Sequence, residues 1–496
     1  MRGRFAKIIG WCAVHPVWAA VMAGAVLRLV AALVGSGWFA VDDYLYVIEP
    51  AARWLEHPTA VYPSRYRSPL FPRLFSFFMA MGQLIGAEDP RSVLKVAYLA
   101  VGCWSLLAIP GAYLLARPRL GSTAGAVAAW LVAAQAIMPR ISSRALIEVV
   151  CVVPLVWSLV LVDRAARSGK VGERLVWALA GGMIFGLAVM LRFQVGIIAA
   201  GIVGWLICVA LRADGPPVLR YAPVGGFVLA GMGMVLVQGG LDLFFDRPFF
   251  DTMLRYVSFN LGHSSKFGTS AWYNYVLQLI GYTVPPATVA LAGPLWRAAR
   301  AHPLVAVSLV VFVLAHSLVP HKEDRFLFPI LPLLFVVLGA ALAAIREGGR
   351  WQRGALWLFW IVNGLVLVPA TLSDGHRNLT VPLSEIHNMP GSYDVAVVGM
   401  KHAPAYYLGN GSRMHVMKEL DTFCERVQRG MLSPDFVLLR PVPDSNVLAR
   451  VGATGLSCEG PREYRGDLVD RLLVVLNPRH NKRRAATGLL DCRPRP

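Results

Sequence analysis

Charge is what this chain has least of. Only 16% of its 496 residues are Asp, Glu, Lys or Arg, against 56% hydrophobic and a mean hydropathy of +0.54, which excludes an ordinary soluble domain. Its seven cysteines have no zinc-type spacing. Cys12, Cys103, Cys151 and Cys208 lie in or beside apolar runs as small packing residues, whereas Cys424, Cys458 and Cys492 fall in a polar tail. No repeat of solenoid period runs along the sequence, and no clean small-x-small cleavage site follows the first apolar run, 17–34, so that run reads as a retained anchor. The shortage of acidic residues leaves a net charge of +19. The basic residues are nonetheless scattered through short loops, which argues against nucleic-acid binding.

What is present is lipid-compatible sequence. Apolar stretches of roughly 17 to 25 residues, the length that crosses about 30 Å of hydrocarbon as helix, recur as far as residue 371. Twelve candidates stand out, at 17–35, 70–86, 94–115, 124–138, 146–162, 175–190, 195–211, 221–239, 275–291, 304–319, 326–344 and 355–371. Basic loops at Arg164, Arg167, Lys170 and Arg174, at Arg212 and Arg220, at Arg297 and Arg300, and at Arg346, Arg350 and Arg353 mark the cytosolic side, joined by the arm bearing Arg2, Arg4 and Lys7. Loops 36–68, 191–194, 240–274 and 320–325 then face outward. Parity requires one early segment not to cross, and 70–86, flanked by Pro69 and Pro72, is assigned as bent or re-entrant, leaving eleven crossings.

The expected fold is therefore a polytopic α-helical membrane domain over 1–371, with 11–12 segments, and a small extracytoplasmic α/β domain over 372–496. Strands are expected at 393–398, 435–439 and 472–476. If that compartment is oxidising, Cys424 and Cys458 are disulfide partners. The residues around Arg479, Lys482, Arg483 and Arg484 read as a disordered basic end.

Against this background, five consecutive ionisable residues, His321-Lys322-Glu323-Asp324-Arg325, interrupt two apolar runs and mark a site. Lys322 and Arg325 are suited to neutralise a departing phosphate and His321 to donate to it, with Glu323 and Asp324 orienting the cations. Arg192, at a hairpin tip on the same face, and Arg67, in the first outward loop, are candidates for the same phosphate, although arginines at a boundary also simply meet headgroups. The adjacent Asp42 and Asp43 can supply an ionised general base, or else cap an interfacial helix. Glu49, Asp242, Asn260, Lys266 and Trp272 complete a candidate substrate-binding set.

These elements resemble the mannosyltransferases of glycosyltransferase family 22, of the GT-C class, which assemble GPI anchors and asparagine-linked glycans from dolichyl-phosphate mannose. His321 to Phe326, followed by Leu327-Phe328-Pro329, resembles the family's His-Lys-Glu-x-Arg-Phe signature. Asp42-Asp43, before Glu49-Pro50, is similar to its acidic pair in the first lumenal loop, and Arg67-Ser68 to its Arg-Ser pair. Phe267-Gly268-Thr269-Ser270-Ala271-Trp272 is similar to its Tyr-Gly-Thr-His-Pro-Trp element, with Asp242 and Asn260 at the matching upstream positions, and Ser143-Arg144 resembles another lumenal element. Asp43 stands where the family usually has Glu, and Ser270-Ala271 where it has His-Pro.

The resemblance implies an inverting transfer from a polyprenyl-phosphate sugar to a lipid-linked or surface glycan. It implies a site on the non-cytosolic side, and an endoplasmic reticulum and a bacterial plasma membrane both fit; because cationic side chains can neutralise a phosphate that already bears a lipid ester, no metal cofactor is expected. A transferase for another sugar, a flippase for lipid-linked glycans and a non-catalytic scaffold are the alternatives. The flippase requires paired broken helices and internal symmetry, which the sequence does not display. The sequence carries no signal for an oligomeric state. The enzyme reading requires the acidic pair and the cationic run to share one pocket.

Overall fold

The computed structural model describes residues 14–409 and 411–493; the arm with Arg2, Arg4, Lys7 and Cys12 lies outside them. The chain divides into two compact units, Met1–Leu29 with Val61–Phe71 and Val101–Val368, and Val30–Ala60 with Pro72–Ala100 and Pro369–Pro496. Residues 30–60, which hold most of the first outward loop, and 72–100 fall in one unit with the tail.

Among the described residues, eight helices are long and apolar enough to cross a bilayer: Pro16–Val34, Pro90–Leu120, Ile147–Arg167, Val171–Leu191, Phe193–Arg212, Pro217–Phe244, Asp324–Arg346 and Arg350–Thr371. A ninth is counted if Asn274–Tyr282 and Pro285–Ala301 form one span, but they meet at 95° where a straight helix was expected. The bend has a local cause. Val284 precedes a proline, which disfavours the helical conformation, and it turns to a φ of 61°. The expected 11–12 segments fall to eight or nine because Ser122–Ala134 has 13 residues and Pro303–Leu318 has 16. At 1.5 Å per residue they rise only about 20 and 24 Å. Leu70–Leu84, the segment expected not to cross, has 15 residues, so three short helices compete for the role that parity gave to one.

Small residues allow close packing in the membrane unit. A Cβ on Gly182 would lie 2.2 Å from the Phe227 carbonyl oxygen and one on Gly186 2.3 Å from the Met234 Cβ, so Val171–Leu191 and Pro217–Phe244 approach almost backbone to backbone. Leu331–Arg346 is buried along most of its length, which anchors the charged run that precedes it. Arg28, fully buried, is satisfied structurally. It donates to the Val132 and Ala133 carbonyls at the end of Ser122–Ala134, and to Ser105, Ser142 and Gly24.

The second unit holds a five-stranded sheet in the order β2-β1-β3-β5-β4, with β1 Asp394–Val398, β2 Arg413–Met417, β3 Phe436–Leu439, β4 Glu459–Tyr464 and β5 Thr487–Asp491. β1 is parallel to β2 and β3, and β5 is antiparallel to β3 and β4. Strand residues Ala396, Val398, Val437, Leu439 and Leu490 pack with Phe423 and Val451 of flanking helices.

The first two expected strands are present, and three expectations for the tail are corrected. Residues 472–476 belong to the helix Leu468–Leu476, which Asp467 caps by accepting the Asp470 N–H, with apolar residues at helical spacing. Residues 478–484 of the basic end form a short helix, Pro478–Asn481, and a 3-10 turn, Lys482–Arg484, and lead into β5, which pairs on both edges. The disulfide joins Cys458 to Cys492, not to Cys424: Glu459 pairs with Asp491, so the cysteines one step beyond face each other.

Residues 36–44 belong to this unit through specific bonds. Asp374 accepts the Ser36 and Gly37 amides and pairs with Arg91, and the Tyr407 hydroxyl donates to the Ser36 carbonyl. The Trp38 ring stacks on His376 at 4.5 Å.

Candidate active site

The charged run lies where an apolar helix stops and another has not yet begun. Pro303–Leu318 ends at Val319, a bend at 319–320 and three residues without regular structure follow, and a 3-10 segment, Asp324–Ile330, leads into Leu331–Arg346. Glu323 then bridges two neighbours of its own run. Its carboxylate takes Arg325 Nε at 2.6 Å and His321 Nε2 at 2.9 Å. The other His321 nitrogen faces the Gly268 carbonyl at 3.2 Å. Both partners only accept, so the imidazole is held as a cation, and the hydrogen bond to Glu323 keeps it protonated above the usual histidine range. Lys322 gives two of its three donors to the Val319 and Ser270 carbonyls, at 2.7 and 3.2 Å.

Arg192 joins this group as expected. It sits in extended backbone between Val171–Leu191 and the 3-10 turn Phe193–Ile197, and it reaches Glu148 at 3.0 Å. Arg325 approaches the same carboxylate oxygen at 3.7 Å, and both guanidiniums lie over the Phe326 ring, at 5.5 and 5.4 Å. Two permanent cations, Arg192 and Arg325, thus face two carboxylates, Glu148 and Glu323, with Lys322 and a protonated His321 in the same run. The surplus is positive. Arg192 Nε is buried and meets no acceptor among the described residues. Asp324 is exposed and accepts from Gln278 at 2.7 Å, where it also lines a separate cleft.

The acidic pair lies in the other unit. Val41–Asp43 opens a helix that widens into a π turn at Tyr44–Ile48 and continues as Glu49–Glu56, the kind of irregularity that clusters at functional sites. Asp43 is buried, and its Oδ2 accepts the backbone amides of Ala40 and Phe39 at 2.8 and 3.2 Å. It is the helix cap that the sequence left as an alternative. Asp42 remains half-buried on the turn. Glu49 accepts the Tyr44 hydroxyl; burial, then the Glu49 charge, drives the Tyr44 pKa far up, so the phenol stays a donor.

The remaining expected residues divide in the membrane unit. Asp242 is fully buried and contacts no surface: its oxygens accept the Thr252 amide at 3.1 Å, the Thr252 hydroxyl and Gln238 Nε2 at 3.3 Å. Gln238 in turn accepts from Ser68, the neighbour of Arg67, at 3.0 Å. Arg67 is half-buried, and Asn260 donates to the Tyr256 carbonyl within its own helix. Lys266 and Trp272 are exposed.

Glu148 was missed. It lies inside the run read as the span 146–162, and a carboxylate within an apolar run was the available signal. The structure breaks that run into a short turn, Ile147–Val150, and a helix, Val152–Arg167.

The chain is similar to known membrane glycosyltransferases in sequence and in fold. Residues 19–396 match the model of the Alg9-like mannosyltransferase family. GPI alpha-1,2-mannosyltransferase 3 of Danio rerio is 26% identical over 142 residues, 28% of this chain and 25% of that protein. Mannosyltransferase APTG1 of Arabidopsis thaliana is 25% identical over 348 residues, 65% and 58% of the two chains. The chain thus spans a quarter to under two thirds of these relatives' lengths. ArnT from Cupriavidus metallidurans bound to undecaprenyl phosphate superposes with a TM-score of 0.60 at 14% identity, over 97% of this chain and 98% of that one. The Archaeoglobus fulgidus oligosaccharyltransferase AglB, in complex with an inhibitory peptide and a dolichol-phosphate, gives 0.51 at 12% identity, over 86% and 70%. The fold is that of GT-C enzymes.

Proposed function

Since the chain belongs to the Alg9-like mannosyltransferase family, we propose that it is an integral membrane, inverting α-mannosyltransferase. It takes mannose from a polyprenyl-phosphate carrier and gives it to a hydroxyl of a lipid-linked or surface glycan, on the non-cytosolic side of a bacterial plasma membrane or the endoplasmic reticulum. The observation that carries this reading is the buried cluster of Arg192, Lys322, Arg325 and His321 around Glu148 and Glu323, with its positive surplus and the unmatched Arg192 Nε. The polyprenyl phosphates bound by the structural neighbours support the donor class.

In this mechanism Asp42 accepts the proton of the acceptor hydroxyl as its oxygen attacks C1 of mannose. The bond between C1 and the phosphate oxygen breaks on the opposite face, and the polyprenyl phosphate leaves with its electron pair. Arg192, Arg325, Lys322 and His321, with Arg67, stabilise the negative charge on that leaving group. Asp42 suits the base because one Asp43 oxygen, Oδ2, is taken by two backbone amides. Side-chain cations take the role of a metal, so activity persists in a chelator.

The test uses the full chain in nanodiscs supplied with radiolabelled polyprenyl-phosphate mannose and a glycan acceptor in EDTA. The expected result is metal-independent transfer that falls at least a hundredfold in Arg325→Gln, as loss of one transition-state donor does at about 10²–10³. Equal transfer from glucosyl or arabinosyl carriers, or undiminished transfer in Arg325→Gln, overturns it.

A further inference from the structure

The second unit contains a cleft that the transfer chemistry above does not use. About 370 Å³ of empty space, counting its mouth, lies between the first outward loop and the tail domain, and Trp38, His376, Lys401, His402, Arg440 and Arg483 give it its polar lining. Among the described residues no carboxylate lines it. The cations therefore act on one another. His402 is held below the usual histidine range by burial and then by Arg483 and Lys401, and Arg440 is lowered by burial and then by Arg483. Gathering that many positive groups without a counter-charge is unfavourable unless an anion joins them.

A second observation points the same way. Trp38 is 4% exposed, and its indole N–H is buried without an acceptor among the described residues. The ring is fixed by stacking on His376, and it lies 5.2 Å from the Tyr44 ring, so that donor cannot easily turn away. Unmatched buried donors are rare in folded proteins and mark places where a ligand completes the set.

We propose that this cleft seats a phosphate group carried by the acceptor, held by the Trp38 N–H and by Lys401, Arg440 and Arg483. Val41 and Tyr44 line the cleft and flank Asp42 in the chain, so a phosphate there tethers the acceptor beside the base and presents a nearby hydroxyl to it. The substrate class rests on the transferase reading; the anion site itself does not.

The full chain labelled with 5-fluorotryptophan, in nanodiscs, tests both. The Trp38 fluorine resonance, identified by its loss in Trp38→Phe, is expected to shift saturably with inorganic phosphate and not with chloride at equal ionic strength. Lys401→Gln/Arg483→Gln, which spares the bond from Arg440 to the Gly399 carbonyl, should weaken that response about tenfold, whereas Arg325→Gln should not change it. No response, or an equal one to chloride, overturns the site. In transfer assays with two acceptors that differ by one phosphate ester, the same double variant should raise KM for the phosphorylated one about tenfold with kcat and the neutral acceptor unaffected. A phosphate-responsive Trp38 without that discrimination makes the cleft a free-phosphate site and overturns the acceptor assignment. Failure of all mannosyl transfer sinks the transferase reading and leaves the Trp38 titration to judge the cleft.

Discussion

The charged run at 321–325 and the loop at 36–56 handle buried charge with different partners. In the run, carboxylates meet cations: Glu148 faces Arg192 and Arg325, and Glu323 faces Arg325 and His321. In the loop, Asp43 meets the amides of Phe39 and Ala40, and Glu49 meets the Tyr44 hydroxyl. Ion pairing lets several positive groups stay together in a dry environment while cancelling only part of their charge, which suits a seat for a phosphate. Neutral donors satisfy a carboxylate without removing its charge, and they fix a backbone, which suits the platform of a base.

The sharpest way to break this contrast is to exchange the two neighbouring aspartates. Asp42→Asn is expected to lower kcat about 10³-fold, within the range for a lost general base, with Tm unchanged. Asp43→Ala should leave most of kcat and lower stability by about 1 kcal/mol, the usual cost of a lost helix cap, read as a lower Tm. The reverse pattern would reassign the base to Asp43. Next in size is Arg192→Gln, which removes the buried unmatched donor. It should cost about 10²-fold in kcat/KM for the lipid donor, checked by initial rates at varied donor concentration.

How much of this was legible depended on whether a residue's role was local. The run from His321 to Arg325 stood out because ionisable residues between apolar stretches are expensive, and the structure pairs two of its members, His321 and Arg325, with a third, Glu323. Arg192 was placed with it by loop parity alone. Asp242 looked like a ligand contact, because nothing in Gly240-Leu241-Asp242 shows that Thr252, ten residues on, will take both its oxygens. The Cys458 and Cys492 pairing depended on the register of β4 and β5, and β5 had been read as part of a disordered end. The helix Leu468–Leu476 was misread because a five-residue apolar window fits either period.

A smaller effect separates charge from structure within the run itself. His321 holds its proton above the ordinary imidazole value because Glu323 accepts from it. A raised pKa keeps the cation present below about 6.5 and loses it as pH rises through the raised value. The contribution of His321 to donor binding is therefore full in acid and fades on the alkaline side. Glu323→Gln should move that alkaline fall in kcat/KM to lower pH, measured as a pH profile with the donor limiting. An unmoved profile would mean that the histidine proton takes no part.

The smallest effect on turnover is expected at Asp242, and it tests whether burial outweighs family position. Both oxygens accept from donors that are themselves inside the protein, so Asp242→Ala leaves the Thr252 amide and Gln238 short of a partner. The cost of unsatisfied buried donors is about 1–3 kcal/mol in stability. Transfer should change less than about fivefold, through the loosened position of Ser68 and its neighbour Arg67, and mainly in KM for the donor. If Asp242→Ala instead abolishes kcat while Tm holds, Asp242 touches the substrate, and the loop 240–274 is rearranged in the working enzyme.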